Sequence, residues 1–290
     1  MAPVVDFHQH LWPQPFIAAL RKRTIPPRLI GSVLEVAGGG EFEVDLADHA
    51  LERRLALLDR DQVDLAVVSL SPALGVDDLP ESEAQELVAA YEDGMLEVGA
   101  AAGGRIVALA ASSRLEGFAG VCVAADTLTN LDGIAETVDE LDRRGGMLFV
   151  HPGPTTSAPT APPWWPSVVD YTAQMQAACA DWLGRGIDRW PDLRVVFAIL
   201  AGGWPFQLER LSSRGFEARD ALHPNVFFDT ASYGRRALEL CLATYGVGQL
   251  VYGSDTPVID SGPTLEAVRG FGEAVANALC RDNPARLLPA

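Results

Sequence analysis

The chain has 290 residues, 48% of them apolar, which is ample for a large core, and it contains no apolar run long enough to span a membrane. A formal charge of −17 sets repulsion against any polyphosphate, which argues against nucleic acid or an anionic membrane as partner and for a small molecule. Cys122, Cys179, Cys241 and Cys280 form no C-x-x-C pair and read as small buried hydrophobes, and no signal peptide is visible after Met1, so the expected compartment is the cytosol.

Val4-Val5-Asp6-Phe7-His8-Gln9-His10 reads as a first strand whose two histidines, one residue apart, project from the same face at its exit. Residues 31–44 carry Gly38-Gly39-Gly40 between β-prone runs and suggest a hairpin rather than a phosphate cradle, because no helix opens from the glycines. Leu51, Leu55 and Leu58 give helical spacing over 46–61, and 63–69 is a nearly unbroken apolar run, as a parallel strand covered on both faces would be. The alternation continues with helix 81–101, strand 106–111, a weaker strand 120–124, helix 131–144, strand 147–150, helix 167–189, strand 195–200 and helix 205–218. Strand 226–228, helix 238–245, strand 250–252 and helix 263–280 complete it. Eight strands in this length predict one (β/α)8 TIM barrel over residues 1–290, with no domain boundary. The connection from Ala111 to Gly120 is too short for a crossover helix, so the barrel is expected to be distorted or to lack a helix after its third strand. Residues 152–166, rich in Pro, Thr, Ala and Trp, read as a long loop on the catalytic face.

Polar residues at strand exits then carry the chemistry. Strand one ends in His8 and His10, strand five in His151, and strand eight in Asp255 of Gly253-Ser254-Asp255. Three neutral imidazoles and one carboxylate suit Zn²⁺ with room for water or substrate.

This set, in this order, resembles the amidohydrolase superfamily, and more closely its amidohydrolase-related branch, which includes amino-carboxymuconate semialdehyde decarboxylase and the lactonases of pyrone and muconolactone degradation. The resemblance also covers His151-Pro152-Gly153, Gly202-Gly203-Trp204-Pro205 and the closing Asn283-Pro284-Ala285-Arg286-Leu287-Leu288. It implies a mononuclear site of His8, His10, His151 and Asp255 for one divalent ion, Zn²⁺ first and Mn²⁺ as the alternative, with Asp255 as base or proton shuttle. One departure stands out: where the family's strand-six pattern places a histidine before the small-Gly-Gly turn, this chain has Ile199, or Leu200 if the register slips by one. On a strand those two face opposite sides, so whichever enters the site makes it drier.

The leading expectation is therefore a metal-dependent hydrolase of a small cyclic or carboxylated substrate such as a lactone, amide or ester. The alternative is a nonoxidative metal-dependent decarboxylase of the same branch. A third reading, resting on Ile199 alone, is a catalytically silent ligand-binding barrel. Asp6 shares the histidines' face and reads either as a support for an imidazole or as simple barrel filling. Trp12, Trp164 and Trp165 could stack on a planar substrate or only pin their loops, and Arg21, Arg23 and Arg28 read as a solvated charged face more readily than as a carboxylate clamp. His49 and His223 are expected away from the mouth, Ser254 lacks a nucleophile elbow, and a homodimer is left open.

Overall fold

The fold follows from strands that are apolar on both faces. In the computed structural model, which describes residues 2–36, 40–156, 160–215 and 223–288, eight parallel strands are found among the described residues. They are β1 (Val5–His10), β5 (Leu65–Ser69), β6 (Ile106–Ala108), β7 (Gly120–Ala124), β8 (Met147–His151), β9 (Arg194–Phe197), β10 (Val226–Asp229) and β11 (Leu250–Val251). Phe149, Phe197, Phe227 and Phe228 on these strands are each at most 1% exposed, and burying one such ring contributes about 1.5–3 kcal/mol. With helices outside and side chains filling the inside, neither face can be polar, which is why the strands read as runs rather than alternations.

The strands pair in the order β1-β5-β6 and β11-β10-β9-β8-β7. Backbone hydrogen bonds cross both remaining seams. Ala110 donates to Gly120 O at 2.9 Å and accepts from Cys122 N–H at 2.9 Å. On the other side Phe7 N–H reaches Tyr252 O at 2.7 Å, Asp255 N–H reaches His8 O at 2.8 Å, and His10 N–H reaches Thr256 O at 2.7 Å. The expected (β/α)8 barrel is what forms. No helix lies between β6 and β7, where residues 111–119 make only bends and turns.

Helices α2 (Leu51–Asp61), α3 (Glu81–Ala101), α4 (Ala135–Arg144) and α5 (Tyr171–Asp181) bear out the expected positions, with bounds that differ at the ends of all but α3. The helix expected over 46–61 is divided: Leu46–His49 is a separate 3₁₀ turn capped by the Asp45 carboxylate, and Ala50 is extended. Helix α1 (Gln14–Lys22), unforeseen in the sequence, has Pro13 at its start and buries Phe16, Ile17, Ala19 and Leu20 on one stripe. The hairpin expected in 31–44 is present as an antiparallel sheet of β2 (Arg28–Ile30), β3 (Val33–Val36) and β4 (Gly40–Glu43). Its turn residues Gly38 and Gly39 lie outside the described residues, as do 157–159 of the long loop after β8 and 216–218 at the end of the helix expected over 205–218. That helix is described over Pro205–Ser213, and the one expected over 263–280 is broken after Arg269.

The strand expected over 195–200 is corrected: β9 ends at Phe197, and Ile199, Leu200, Ala201 and Gly202 take left-handed conformations with φ of 46°, 52°, 49° and 64°. Ala198 N–H makes the last ladder bond, to Val150 O at 2.9 Å, and the next N–H, on Ile199, is captured by a side chain instead, the Asp229 carboxylate at 3.0 Å. Ile199 and Leu200 therefore do not alternate across a strand; both are buried, at 8% and 2% exposure. No described helix is long and apolar enough to cross a membrane.

Candidate metal centre

His8, His10 and His151 come from β1 and β8, at the C-terminal ends of the strands, and all three are buried. Their ring centroids form a triangle with 5.1 Å on each side, the planes nearly perpendicular at 76° to 89°. One ligand atom from each lies within 4.8 Å of the other two. Asp255, in the left-handed region at φ 65°, brings Oδ1 to 3.3 Å from His10 Nε2 and 3.6 Å from His8 Nε2. The four residues singled out in the sequence thus meet at one point.

Each ring is oriented by a bond at its other nitrogen. His8 Nδ1 faces Asp229 Oδ2 at 2.7 Å, His10 Nδ1 faces Ser69 O at 3.0 Å, and His151 Nδ1 faces Pro152 O at 2.8 Å. The carboxylate and the two carbonyls accept, so each Nδ1 carries a proton, with Ser69 Oγ standing further from His10 Nδ1 at 3.5 Å, and in the neutral ring each Nε2 presents a lone pair. The Nε2 atoms of His8 and His10 lie 3.3 Å apart, a spacing that a shared proton or a cation bridges. Four ligands placed tetrahedrally at about 2.05 Å from a zinc ion stand about 3.3 Å from each other, so the spacing fits.

The electrostatics agree. Burial disfavours a charged ring at His8, yet Asp229, by charge and hydrogen bond, together with Asp255 and Asp6, raises its pKa to about 9, and a field that binds a proton so firmly favours any cation there. Burial, reinforced by His10 and His8, pushes His151 well below the usual histidine range, which keeps its lone pair available. At Asp255 burial acts upward, but the contact with His10 Nε2 and the nearby His8 and His151 overcome it and hold the carboxyl below its ordinary value. The cluster offers three nitrogens and one carboxylate oxygen.

The other sequence candidates separate clearly. Asp6, pushed up by burial to about 6, touches no imidazole. Its Oδ2 accepts from Gln9 Nε2 at 2.7 Å and its Oδ1 from Ser254 N–H at 3.0 Å, fastening the exit of β1 to that of β11. Ser254 is fully buried and its hydroxyl serves Thr256. Trp12 is buried and stacked on His49 at 4.5 Å, its backbone N–H bonded to His49 Nδ1, so both pin the first loop. Trp164 and Trp165 are exposed. Arg23 is paired with Glu83 and Arg28 with Glu35, while Arg21 is exposed. His223 stands before β10, at the end remote from the strand exits. The four cysteines are free and buried.

Asp229 is the site residue that sequence reasoning missed. It ends β10 as a carboxylate after Val226-Phe227-Phe228, and an acid at the exit of an otherwise apolar barrel strand was the available signal. Gly253 makes its reach to His8 possible: a Cβ there would lie 2.7 Å from His8 Cβ and 3.2 Å from Asp229 Cγ. A recess of about 500 Å³ at the opposite end of the barrel, lined by Val4, Arg105, Arg269 and Arg281 among others, holds no histidine.

Residues 123–290, more than half of the chain, match the family model described as Amidohydrolase, and the chain belongs to this family. It is 24% identical over 287 residues to a 2-amino-3-carboxymuconate-6-semialdehyde decarboxylase from Dictyostelium discoideum, an alignment covering 86% of this chain and 80% of that one. The fold superimposes on 5-carboxyvanillate decarboxylase from Sphingomonas paucimobilis with a TM-score of 0.74, at 18% identity over 99% of both chains. It also superimposes on 5-carboxyvanillate decarboxylase from Novosphingobium aromaticivorans complexed with manganese and 4-hydroxy-3-methoxy-5-nitrobenzoic acid, with a TM-score of 0.73 at 16% identity over 99% of this chain and 96% of that one. At these identities the two structures speak to the fold.

Proposed function

We propose that the chain is a divalent-metal-dependent, nonoxidative decarboxylase of a small carboxylic acid, with His8, His10, His151 and Asp255 as metal ligands. The observation that carries this reading is a cluster complete in its metal-binding groups, together with Ile199 and Leu200 at the positions where the family resemblance puts a water-activating histidine. Hydrolysis needs water deprotonated, and an alkyl side chain accepts no proton; decarboxylation needs no activated water. The decarboxylase relative, aligned over most of the chain, supports the same choice over the hydrolase expected first.

A bound divalent ion supplies positive charge that anchors an anionic substrate and offsets the charge developing as carbon dioxide leaves. In the reaction the bond to the carboxyl carbon breaks, its electron pair stays on the substrate, and a proton replaces it. Asp255, with a side chain 15% exposed, opens toward the mouth, whereas Asp229 is sealed at 0%. Asp255 is therefore the acid that relays a solvent proton to the substrate carbon. Phe149, edge-on to His8 at 5.2 Å, keeps that side of the site apolar. The donor set favours zinc, while manganese accompanies the Novosphingobium neighbour.

The test is carbon dioxide release by protein loaded with zinc or with manganese, offered 5-carboxyvanillate and 2-amino-3-carboxymuconate-6-semialdehyde, beside a panel of lactones and esters. Release from an acid, lowered about 10²- to 10⁴-fold by Asp255→Asn, is expected. Lactone or ester hydrolysis with no carbon dioxide from any acid would overturn the reading.

A further inference from the structure

We propose that Asp229 is a positioning residue that fixes the tautomer of His8 and ties this metal ligand to the left-handed turn after β9. The inference rests on the metal site proposed above and not on the reaction assigned to it.

Three donors converge on this one carboxylate. Oδ2 faces His8 Nδ1 at 2.7 Å, while Oδ1 accepts from Ile199 N–H at 3.0 Å and Ala231 N–H at 2.9 Å. Both side chains of the His8–Asp229 pair are 0% exposed, so no water can replace a lost partner. The two backbone groups can only donate, which fixes Oδ1 as an oxygen. Oδ2 then takes the His8 proton, and the lone pair is left on Nε2, the atom facing His10 and Asp255.

An asparagine of the same shape breaks this logic. Its oxygen must stay with the two backbone donors, so its NH₂ points at His8 Nδ1 and donates there. The ring must then protonate Nε2, the atom required as ligand. His10 and His151 are oriented chiefly by peptide carbonyls, which substitution leaves in place, with Ser69 Oγ further off at 3.5 Å from His10 Nδ1, so among the three rings only His8 has a carboxylate at its Nδ1. The same carboxylate holds the N–H of Ile199, so the turn that carries the apolar residue and the ring that binds the ion share one anchor.

The experiment is a zinc titration of the full chain against a chromophoric chelator, comparing wild type, Asp229→Asn, His8→Ala and the double variant. Asp229→Asn is expected to weaken zinc binding about 10- to 100-fold and to cost less than about twofold when added to His8→Ala, because its effect runs through that ring. Binding by Asp229→Asn within about twofold of wild type, or an undiminished loss in the His8→Ala background, would overturn the proposal. A second measurement needs no variant: nitrogen NMR of zinc-loaded wild type with labelled histidine should show His8 protonated at Nδ1 and ligated through Nε2. Ligation through Nδ1 would equally overturn it, and neither readout depends on decarboxylation.

Discussion

His8 and His10 were legible because their chemistry is local: two residues apart on a strand, they must share a face, and His151 and Asp255 mark the exits of two further buried runs. Asp229 was not, because its partner lies 221 positions away and the pairing depends on Gly253, beyond β11, having no side chain between the two. His49 is a second case, since nothing near it in sequence shows that it is buried against Trp12. Burial, then the charges of Arg54 and His10, lower its pKa from 6.5 to about 3. Between those values the unfolded chain takes up a proton that the folded chain refuses. The stability tied to a neutral His49 is therefore present above pH 6.5 and is lost as pH falls toward 3, at about 1.4 kcal/mol per pH unit. His49→Gln removes this titration while Asp6 and His8 titrate in both proteins. Urea unfolding at pH 7.5 and pH 5 should show wild type losing about 2 kcal/mol more than the variant; equal losses would contradict the burial argument.

At the scale of elements, the long helix α3 and the apolar strands were readable from periodicity, and the absence of a helix after β6 from spacing alone. The turn at Ile199–Gly202 was not. Left-handed backbone costs about 1–2 kcal/mol per non-glycine residue, so Ile199, Leu200 and Ala201 adopt it against local preference. The fourth residue shows what sets the turn: a Cβ on Gly202 would lie 2.2 Å from Thr172 O, so the turn is packed directly on the first turn of α5. Gly202→Ala should destabilise the protein by about 1–3 kcal/mol in urea unfolding, and an unchanged midpoint would show that the turn is not fixed there. Gly253→Ala should act on the site instead. By forcing His8 and Asp229 apart it is expected to weaken zinc binding about tenfold or more, measured by the same chelator competition; unaltered affinity would mean the two residues need not approach so closely.

For the whole molecule, composition and charge pointed to a small-molecule partner and the strand count to the barrel. The absence of a histidine at Ile199 was visible in the sequence, but the left-handed turn that carries this residue was not, because that backbone is held by the distant Asp229 carboxylate. A chain that gathers three imidazoles and a carboxylate in this way should be stabilised by a divalent ion: at a free zinc concentration 100 times the Kd, the gain is about 2.7 kcal/mol, read as a rise in Tm. The most direct trial of the account is elemental analysis of the dialysed protein, wild type beside the His10→Ala/His151→Ala double variant. The account expects one zinc or manganese per wild-type chain and none in the double variant. A wild type that holds no divalent ion, or a double variant that keeps its own, would contradict it.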